Sequence, residues 1–299
     1  MLRGMSDKKV FKLDAISVVD VRGADASQIV HNLTTNDIKK LAVGDVCESF
    51  VTDVRGKTLG HVSVLRLEDG FRLFGAAGQS QAIHDHVDRY TIREDAMPAI
   101  RDDEFTAFVY SPEDSAGSPE DNVAPDSMVG GIPDSLSVEW LGEGTRVRLA
   151  QGAQAVAALA DQAGDMNAFH EARIRAGFPW YGTDLSDKNL PQEADREPQT
   201  ISFTKGCYLG QETVARLDAL GQVQKKLVRW EITEGVPSVG MELRVGEKTV
   251  GRLTSVLAIS DSTAMAIGIA RRSHFEPGSK ATVYAAGGES KVIAQATTA

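Results

Sequence analysis

The sequence is poor in cysteine: Cys47 and Cys207 are its two thiols in 299 residues. That is too few for a disulfide framework or for the four thiolates that usually hold an iron–sulfur cluster. There is no C-x-x-C pair and no His/Cys spacing typical of zinc, so no metal site is expected. The sequence also lacks G-x-x-x-x-G-K-[ST], G-x-G-x-x-G and G-x-S-x-G. Most nucleotide-binding and serine-hydrolase readings therefore have no support. Its apolar runs fall far short of the roughly 18 residues that cross a bilayer. Residues 1–9 contain no apolar core like that of a secretory signal, and no Arg-rich leader. Positive charge is in deficit, with 32 Lys and Arg against 42 Asp and Glu and a net charge of −10. Neither a non-specific nucleic-acid binder nor a membrane-surface binder is expected from that balance. The cysteine usage fits a reducing compartment, and the cytoplasm is the expected location.

What remains is a globular composition, 42% hydrophobic and 25% charged, with a length that suggests about two domains. The segment from Ser111 to Ser137 holds six acidic residues, four prolines and no Lys or Arg. Such a composition cannot bury much apolar surface and reads as a long solvated loop. Before it the pattern mixes α and β. Ala15–Val21 reads as a strand and Ala26–Leu33 as a helix with Asp25 as its candidate N-cap. Cys47–Val54, Thr58–Leu67 and Phe71–Phe74 read as strands, with Glu68-Asp69-Gly70 as a hairpin turn. A further helix opens at Ser80, expected to be its cap, with Ile83, Val87 and Tyr90 on one face. After the loop, Thr145–Leu149 reads as a strand, and 154–162 and 167–176 as helices, the second stopped by Gly177 and Pro179. From Gln222 onward, short alternating runs recur between turn residues, the pattern of a small all-β barrel or sandwich. Residues 1–222 and 223–299 are the expected division.

The most informative segment runs from Phe203 to Arg216. Gly206 and Gly210 bracket Cys207, Lys205 lies two residues before it, and Gln211, Glu212 and Arg216 follow. Glycine lets a backbone be approached closely. A thiol near an ammonium or a helix start is more acidic, and so a better nucleophile or metal ligand. A lone cysteine is commonly a small buried apolar group, but this concentration of Gly, Lys, Gln, Glu and Arg points to a functional thiol.

Lys205-Gly206-Cys207-Tyr208-Leu209-Gly210-Gln211-Glu212 resembles the K-G-C-[YF]-x-G-Q-E signature of the YgfZ/IBA57 family, folate-binding proteins related to the glycine cleavage T-protein aminomethyltransferase. Val18–Asp20, Gly23-Ala24-Asp25 and Leu33-Thr34-Thr35-Asn36-Asp37-Ile38 resemble that family's opening strand, helix and turn. Arg173–Pro179, Gly182-Thr183-Asp184-Leu185 and Leu190-Pro191-Gln192-Glu193-Ala194 resemble its R-x-x-x-G-x-P, G-x-(D/E)-L and P-x-E-A stretches. The resemblance implies an α+β, T-protein-like cloverleaf: two α+β subdomains and a C-terminal small β-barrel around a channel for tetrahydrofolate. It implies an accessory role in assembly or repair of iron–sulfur clusters, including those of tRNA-modifying enzymes. Cys207 takes the place of the essential cysteine, and iron–sulfur client or assembly proteins are the implied partners.

A tetrahydrofolate site asks for particular chemistry. A carboxylate accepts the paired N–H donors of the pterin, and Glu193 matches the family position for that role. Arg175 and Lys205 are candidates for the anionic tail or the ring, and Trp180 and Tyr181 for stacking, with core packing as their alternative. Asn32, Thr34, Thr35 and Asn36 either meet ligand or cap a helix. The other function open at this point is a folate-dependent aminomethyltransferase or demethylase. By the resemblance, such enzymes carry an acidic residue just after the strand corresponding to Phe71–Phe74. Here Gly75–Ser80 holds no carboxylate, which speaks against that chemistry.

Overall fold

The computed structural model describes residues 10–110, 128–129, 132–161, 163–221, 223–285 and 288–297. The chain opens with β1 (Val10–Leu13), β2 (Ile16–Arg22) and α1 (Ala26–Leu33). Next come β3 (Val46–Thr52), β4 (Thr58–Leu67), β5 (Gly70–Ala76), α2 (Ser80–Tyr90), β6 (Met97–Ile100) and β7 (Phe105–Tyr110). A five-stranded antiparallel sheet has the order β3-β4-β5-β2-β6. Its two faces follow from the period of two along each strand. On β2, Val19 and Val21 pack with Ile29, Val30 and Leu33 of α1 and Ile83 and Val87 of α2. Ile16 and Val18 face the opposite way, into a core rich in aromatic side chains.

That second core is closed by a smaller sheet. Short strands β8 (Met128–Val129), β9 (Ile132–Pro133) and β10 (Leu136–Ser137) precede β11 (Arg146–Gln151), and the order β1-β7-β11-β10 results. Helices α3 (Ala153–Ala160) and α4 (Met166–Ala176) follow. Gly177 ends α4 at φ 76°, a left-handed position that favours glycine. A four-residue helix, α5 (Glu197–Thr200), and α6 (Gln211–Leu220) lead to the last region. There β12 (Lys225–Ile232), β13 (Glu242–Val245), β14 (Lys248–Ala258), β15 (Ala264–Arg271), β16 (Lys280–Ala285) and β17 (Gly288–Thr297) close a barrel in the order β12-β15-β14-β13-β16-β17. Trp230, Leu243, Leu253 and Val283 fill it. Of the barrel and sandwich alternatives, the barrel is the one adopted.

A buried ion pair joins the α+β region to the barrel. The Arg173 Nη1 donates to Asp184 Oδ2 at 2.7 Å, and its Nη2 donates to Ser255 Oγ at 2.9 Å. Asp184 Oδ1 accepts from Thr254 and Ser255, at 2.6 and 2.7 Å. The charges are therefore paired and their remaining lone pairs and protons used, which a buried pair requires.

Three local expectations are corrected. Asp25 sits at the N-cap of α1 but makes no side-chain cap bond; its Oδ2 accepts from the Asp95 amide at 2.8 Å and ties down a distant loop. Ser80 is the first residue of α2, after Gln79, and its hydroxyl donates to Asp102 Oδ1 at 2.6 Å. The expected loop 111–137 lies outside the described residues up to 127. Its final part holds three two-residue strands: β8 pairs with β9, and β10 pairs with β11, where Leu136 lies opposite Val147 and is buried against the aromatic core.

Candidate functional site

The segment Ser202–Gly210 forms an arch held at both feet. The Ser202 amide donates to the Thr35 carbonyl at 3.0 Å, and the Leu209 amide to the Asn32 carbonyl at 2.8 Å. Thr52 Oγ1 donates to the Leu209 carbonyl at 2.7 Å. Beneath the arch, Lys205 is buried and its ammonium donates to three carbonyl oxygens, those of His31, Thr34 and Asn36, at 2.7, 2.6 and 2.8 Å. These lie at and just after the C-terminus of α1, where carbonyls lack helical partners and negative potential gathers. Burial pulls the Lys205 pKa down to about 7, while Asp37 and Cys47 act the other way. The three acceptors match the three donors of a protonated lysine. The Lys205 ammonium also lies 5.1 Å from the centre of the Tyr208 ring, and Tyr208 packs with Ile201 and Val214.

With its feet and keel fixed, the arch displays its crest. Gly206 and Cys207 are exposed, with Phe203 exposed beside them at 45%. Gln211, half-exposed, opens α6, and Glu212 and Arg216 stand exposed along it. Glu212 in the first turn suits the positive end of the helix. The other thiol differs. Cys47 packs among the α1/α2 core residues, and burial pushes its pKa up to about 12. The Lys205 ammonium, a candidate for ligand in the sequence, gives its three donors to the carbonyls at the end of α1 and in the turn after it. The thiol that Lys205 meets electrostatically is Cys47.

The two motif glycines have different reasons. Gly210 has φ +80°, and a Cβ there would lie 2.5 Å from Gly56 Cα and closer still to the Asp53 carbonyl oxygen. A Cβ at Gly206 would meet nothing within 4 Å. Gly210→Ala should therefore cost about 2 kcal/mol or more, from left-handed strain plus overlap. Gly206→Ala should leave stability within about 0.5 kcal/mol. Urea denaturation of both variants checks this, and equal losses would contradict it.

A cavity of about 490 Å³ lies between the Pro191–Ala194 turn, α6 and the start of the barrel. Leu190, Leu217 and Val223 give it apolar walls, and Lys225, Arg271 and Arg272 supply positive charge. Glu193, in its wall, is buried. Its Oε2 accepts from Asn189 Nδ2 at 2.7 Å and meets the Lys225 ammonium at 3.3 Å. Among the described residues, no hydrogen bond falls on its Oε1. The volume is within the usual range for small-molecule sites.

The remaining sequence candidates lie elsewhere. Arg175 is half-exposed near the end of α4, lines none of the described cavities, and offers its carbonyl to Arg229 at 2.9 Å. The inward arginine of that helix is Arg173. Trp180 and Tyr181 line a separate hollow of only about 10 Å³. Trp180 packs 5.0 Å from Phe169, ring centre to ring centre, and Tyr181 donates its hydroxyl to the Thr58 carbonyl at 3.2 Å. Trp180 is buried in the aromatic core, and Tyr181 is half-buried against it. Thr34 Oγ1 donates to the Val30 carbonyl at 2.7 Å, and Asn32 Oδ1 accepts from Gln28 at 2.8 Å. Thr35 Oγ1 donates to the Thr200 carbonyl at 2.6 Å, and Asn36 Nδ2 to Glu48 and Gln199 carbonyls at 2.9 and 2.8 Å. The Thr-Thr-Asn turn thus supports the arch.

Sequence reasoning missed a carboxylate at the small hollow. Glu48 comes from β3 and faces it beside Gly75 and Ala76. Burial opposes its charge, but His61 at 2.7 Å and Arg196 at 2.5 and 2.6 Å outweigh that and hold its pKa down to about 2. Arg196 belongs to the charged stretch Asp195–Glu197, so that stretch is a clamp onto β3. Among the described residues, no group of three or more His, Cys, Asp or Glu side chains is placed to hold a metal ion. Among them, no helix is long and apolar enough to cross a membrane.

No family model matches the chain. It is 26% identical over 250 residues to the mitochondrial iron–sulfur cluster assembly factor IBA57 of Mus musculus, covering 77% of this chain and 68% of that protein. It is 25% identical over 276 residues to the tRNA-modifying protein YgfZ of Aliivibrio fischeri, covering 87% and 84%. In structure it is similar to the glycine cleavage system aminomethyltransferase T of Bartonella henselae, with a TM-score of 0.77, 17% identity and coverage of 97% and 84%. The relatives carry the names that the K-G-C resemblance implied. The fold is the mixed α and β architecture of aminomethyltransferase T, ending in a closed six-stranded barrel.

Proposed function

We propose that this relative of the IBA57 and YgfZ proteins is a tetrahydrofolate-binding accessory factor for the assembly or repair of iron–sulfur clusters, with Cys207 as its reactive group. The observation that carries the reading is the display of one thiol on an arch whose feet and buried lysine are all hydrogen-bonded. A thiol meant only for packing needs no such support. One thiolate does not hold a cluster alone. It can supply one ligand to a cluster, the cargo, whose other ligands come from a client or assembly protein. The exposed Gly206 leaves room for that partner's backbone. The cytoplasm is the compartment this role implies, since reducing conditions keep an exposed thiol unpaired.

The 490 Å³ cavity fits tetrahydrofolate by its donor set. The open Oε1 of Glu193 would accept an N–H of the pterin, and Arg271 and Arg272 would meet the anionic tail, Lys225 being paired with Glu193. When bound, the cofactor supplies a reduced one-carbon carrier. Glu193 orients it, and Leu190 and Leu217 exclude water. The aminomethyltransferase alternative is less well supported, because Glu48, the carboxylate beside Gly75 and Ala76, is already paired with His61 and Arg196 in a hollow too small for a pterin.

Calorimetric titration with tetrahydrofolate under argon tests the cofactor. Binding that Glu193→Gln weakens at least about tenfold is expected, since a bond to a charged acceptor is worth about 1.5–3 kcal/mol. An absence of binding by the wild-type protein would remove folate from the account.

A further inference from the structure

Gln192, the neighbour of Glu193, carries an unmet hydrogen-bonding group at the same cavity. Its side chain is 1% exposed and forms part of the cavity wall. The Nε2 donates to the Val214 carbonyl of α6 at 2.7 Å, which fixes which end of the amide is the carbonyl. The Oε1 is buried and has no partner among the described residues. An orphaned buried acceptor is costly and calls for a donor. The Pro191–Ala194 turn therefore carries two acceptors with unused capacity in residues that line one cavity, the buried Gln192 Oε1 and the Glu193 Oε1. A ligand with neighbouring N–H donors on one edge would satisfy both. Arg271 and Arg272 in the cavity wall add a demand for negative charge elsewhere on the same molecule, Lys225 being paired with Glu193.

The other end of Gln192 reaches the thiol arch. Val214 lies in the first turns of α6, and α6 begins at Gln211, directly after the foot of the arch at Leu209 and Gly210. Val214 also packs with Tyr208, the residue after Cys207. One side chain thus belongs to the cavity wall, with its oxygen unpartnered, and holds the helix behind the thiol through its nitrogen.

We infer that Gln192 is a second recognition residue for the ligand of this cavity and the tie between that ligand and the Cys207 arch. Its Oε1 accepts an N–H of the bound molecule. Its bond to Val214 then steadies α6 and the crest, so that an occupied cavity holds Cys207 more rigidly than an empty one. The assignment of the ligand as tetrahydrofolate rests on the function proposed above; the acceptor pair and the link to α6 rest on geometry.

Two readouts test this: tetrahydrofolate affinity by calorimetry and the rate of Cys207 alkylation by iodoacetamide, followed by mass spectrometry with and without saturating tetrahydrofolate under argon. In the wild-type protein, saturation should slow alkylation at least threefold. Gln192→Met, similar in volume but unable to accept or donate these bonds, should weaken binding about tenfold and abolish the slowing. Gln192→Glu keeps an acceptor in place but loses the donor to Val214. It should bind within about threefold of wild type and show no slowing. If Gln192→Met does not fold, Gln192→Glu carries the test, and an undiminished slowing in it overturns the tie. Wild-type binding that Gln192→Met leaves unchanged overturns the recognition role while the folate reading stands. A wild-type protein that does not bind tetrahydrofolate overturns both.

Discussion

Lys205→Met is expected to lower unfolding stability by about 3–5 kcal/mol, because it strands three carbonyl oxygens that now share one ammonium. Methionine nearly matches the lysine stem in length, so packing changes little and the loss reports the bonds. The charge is bought at a cost, visible in the pKa drawn down to about 7 by burial, yet removing it leaves the C-terminus of α1 without its cap. Lys205→Arg should not restore stability, since a planar fork cannot bring three acceptors to one nitrogen. Urea denaturation measures both variants. A loss below about 1 kcal/mol for Lys205→Met would show that the arch does not depend on its keel.

The second large effect belongs to the joint with the barrel. Arg173→Met should cost about 3–5 kcal/mol, as removing one member of a buried ion pair generally does. It leaves Asp184 buried with only the hydroxyls of Thr254 and Ser255 and the Trp180 amide. It also frees His170 Nδ1, which now accepts from Arg173 Nε at 2.7 Å. Asp184→Asn keeps the shape and some of the hydrogen bonds, but leaves the guanidinium uncompensated, and should fall in the same range. Arg175→Met, two residues along the same helix and half-exposed, should stay within about 0.5 kcal/mol. Thermal unfolding followed by calorimetry compares the three. Equal effects at positions 173 and 175 would contradict the assignment of the inward arginine.

This pair shows where the sequence was legible and where it was not. The helix at Ala26–Leu33 and the strand at Thr58–Leu67 could be read to the residue, because periodicity and turn residues are local signals. The end of α4 at Gly177 was equally plain. Which of Arg173 and Arg175 turns inward was not legible. They lie two residues apart, on different sides of one helix, and the partner that decides between them, Ser255, is 82 residues from Arg173. The course of Lys205 was hidden for another reason. Its partners are backbone carbonyls 169 to 174 residues away, and a carbonyl has no residue type to recognise. Glu48 escaped notice because the hollow beside Gly75 and Ala76 is completed by a different strand. Gln192 gives no signal beside the ionisable Glu193, because an amide carries no charge. Cys207 stood out because its glycines, lysine and acidic neighbour lie within one short segment.

The central claim is that the displayed thiol, and not merely the fold around it, does the work. The direct measurement is the activity of an iron–sulfur enzyme in cells lacking this protein, supplied with either wild-type or Cys207→Ala protein at matched abundance and melting temperature. Because the Cys207 side chain is exposed, its removal should leave the fold intact and the enzyme activity unrestored. Restoration to the wild-type level by Cys207→Ala would contradict the account.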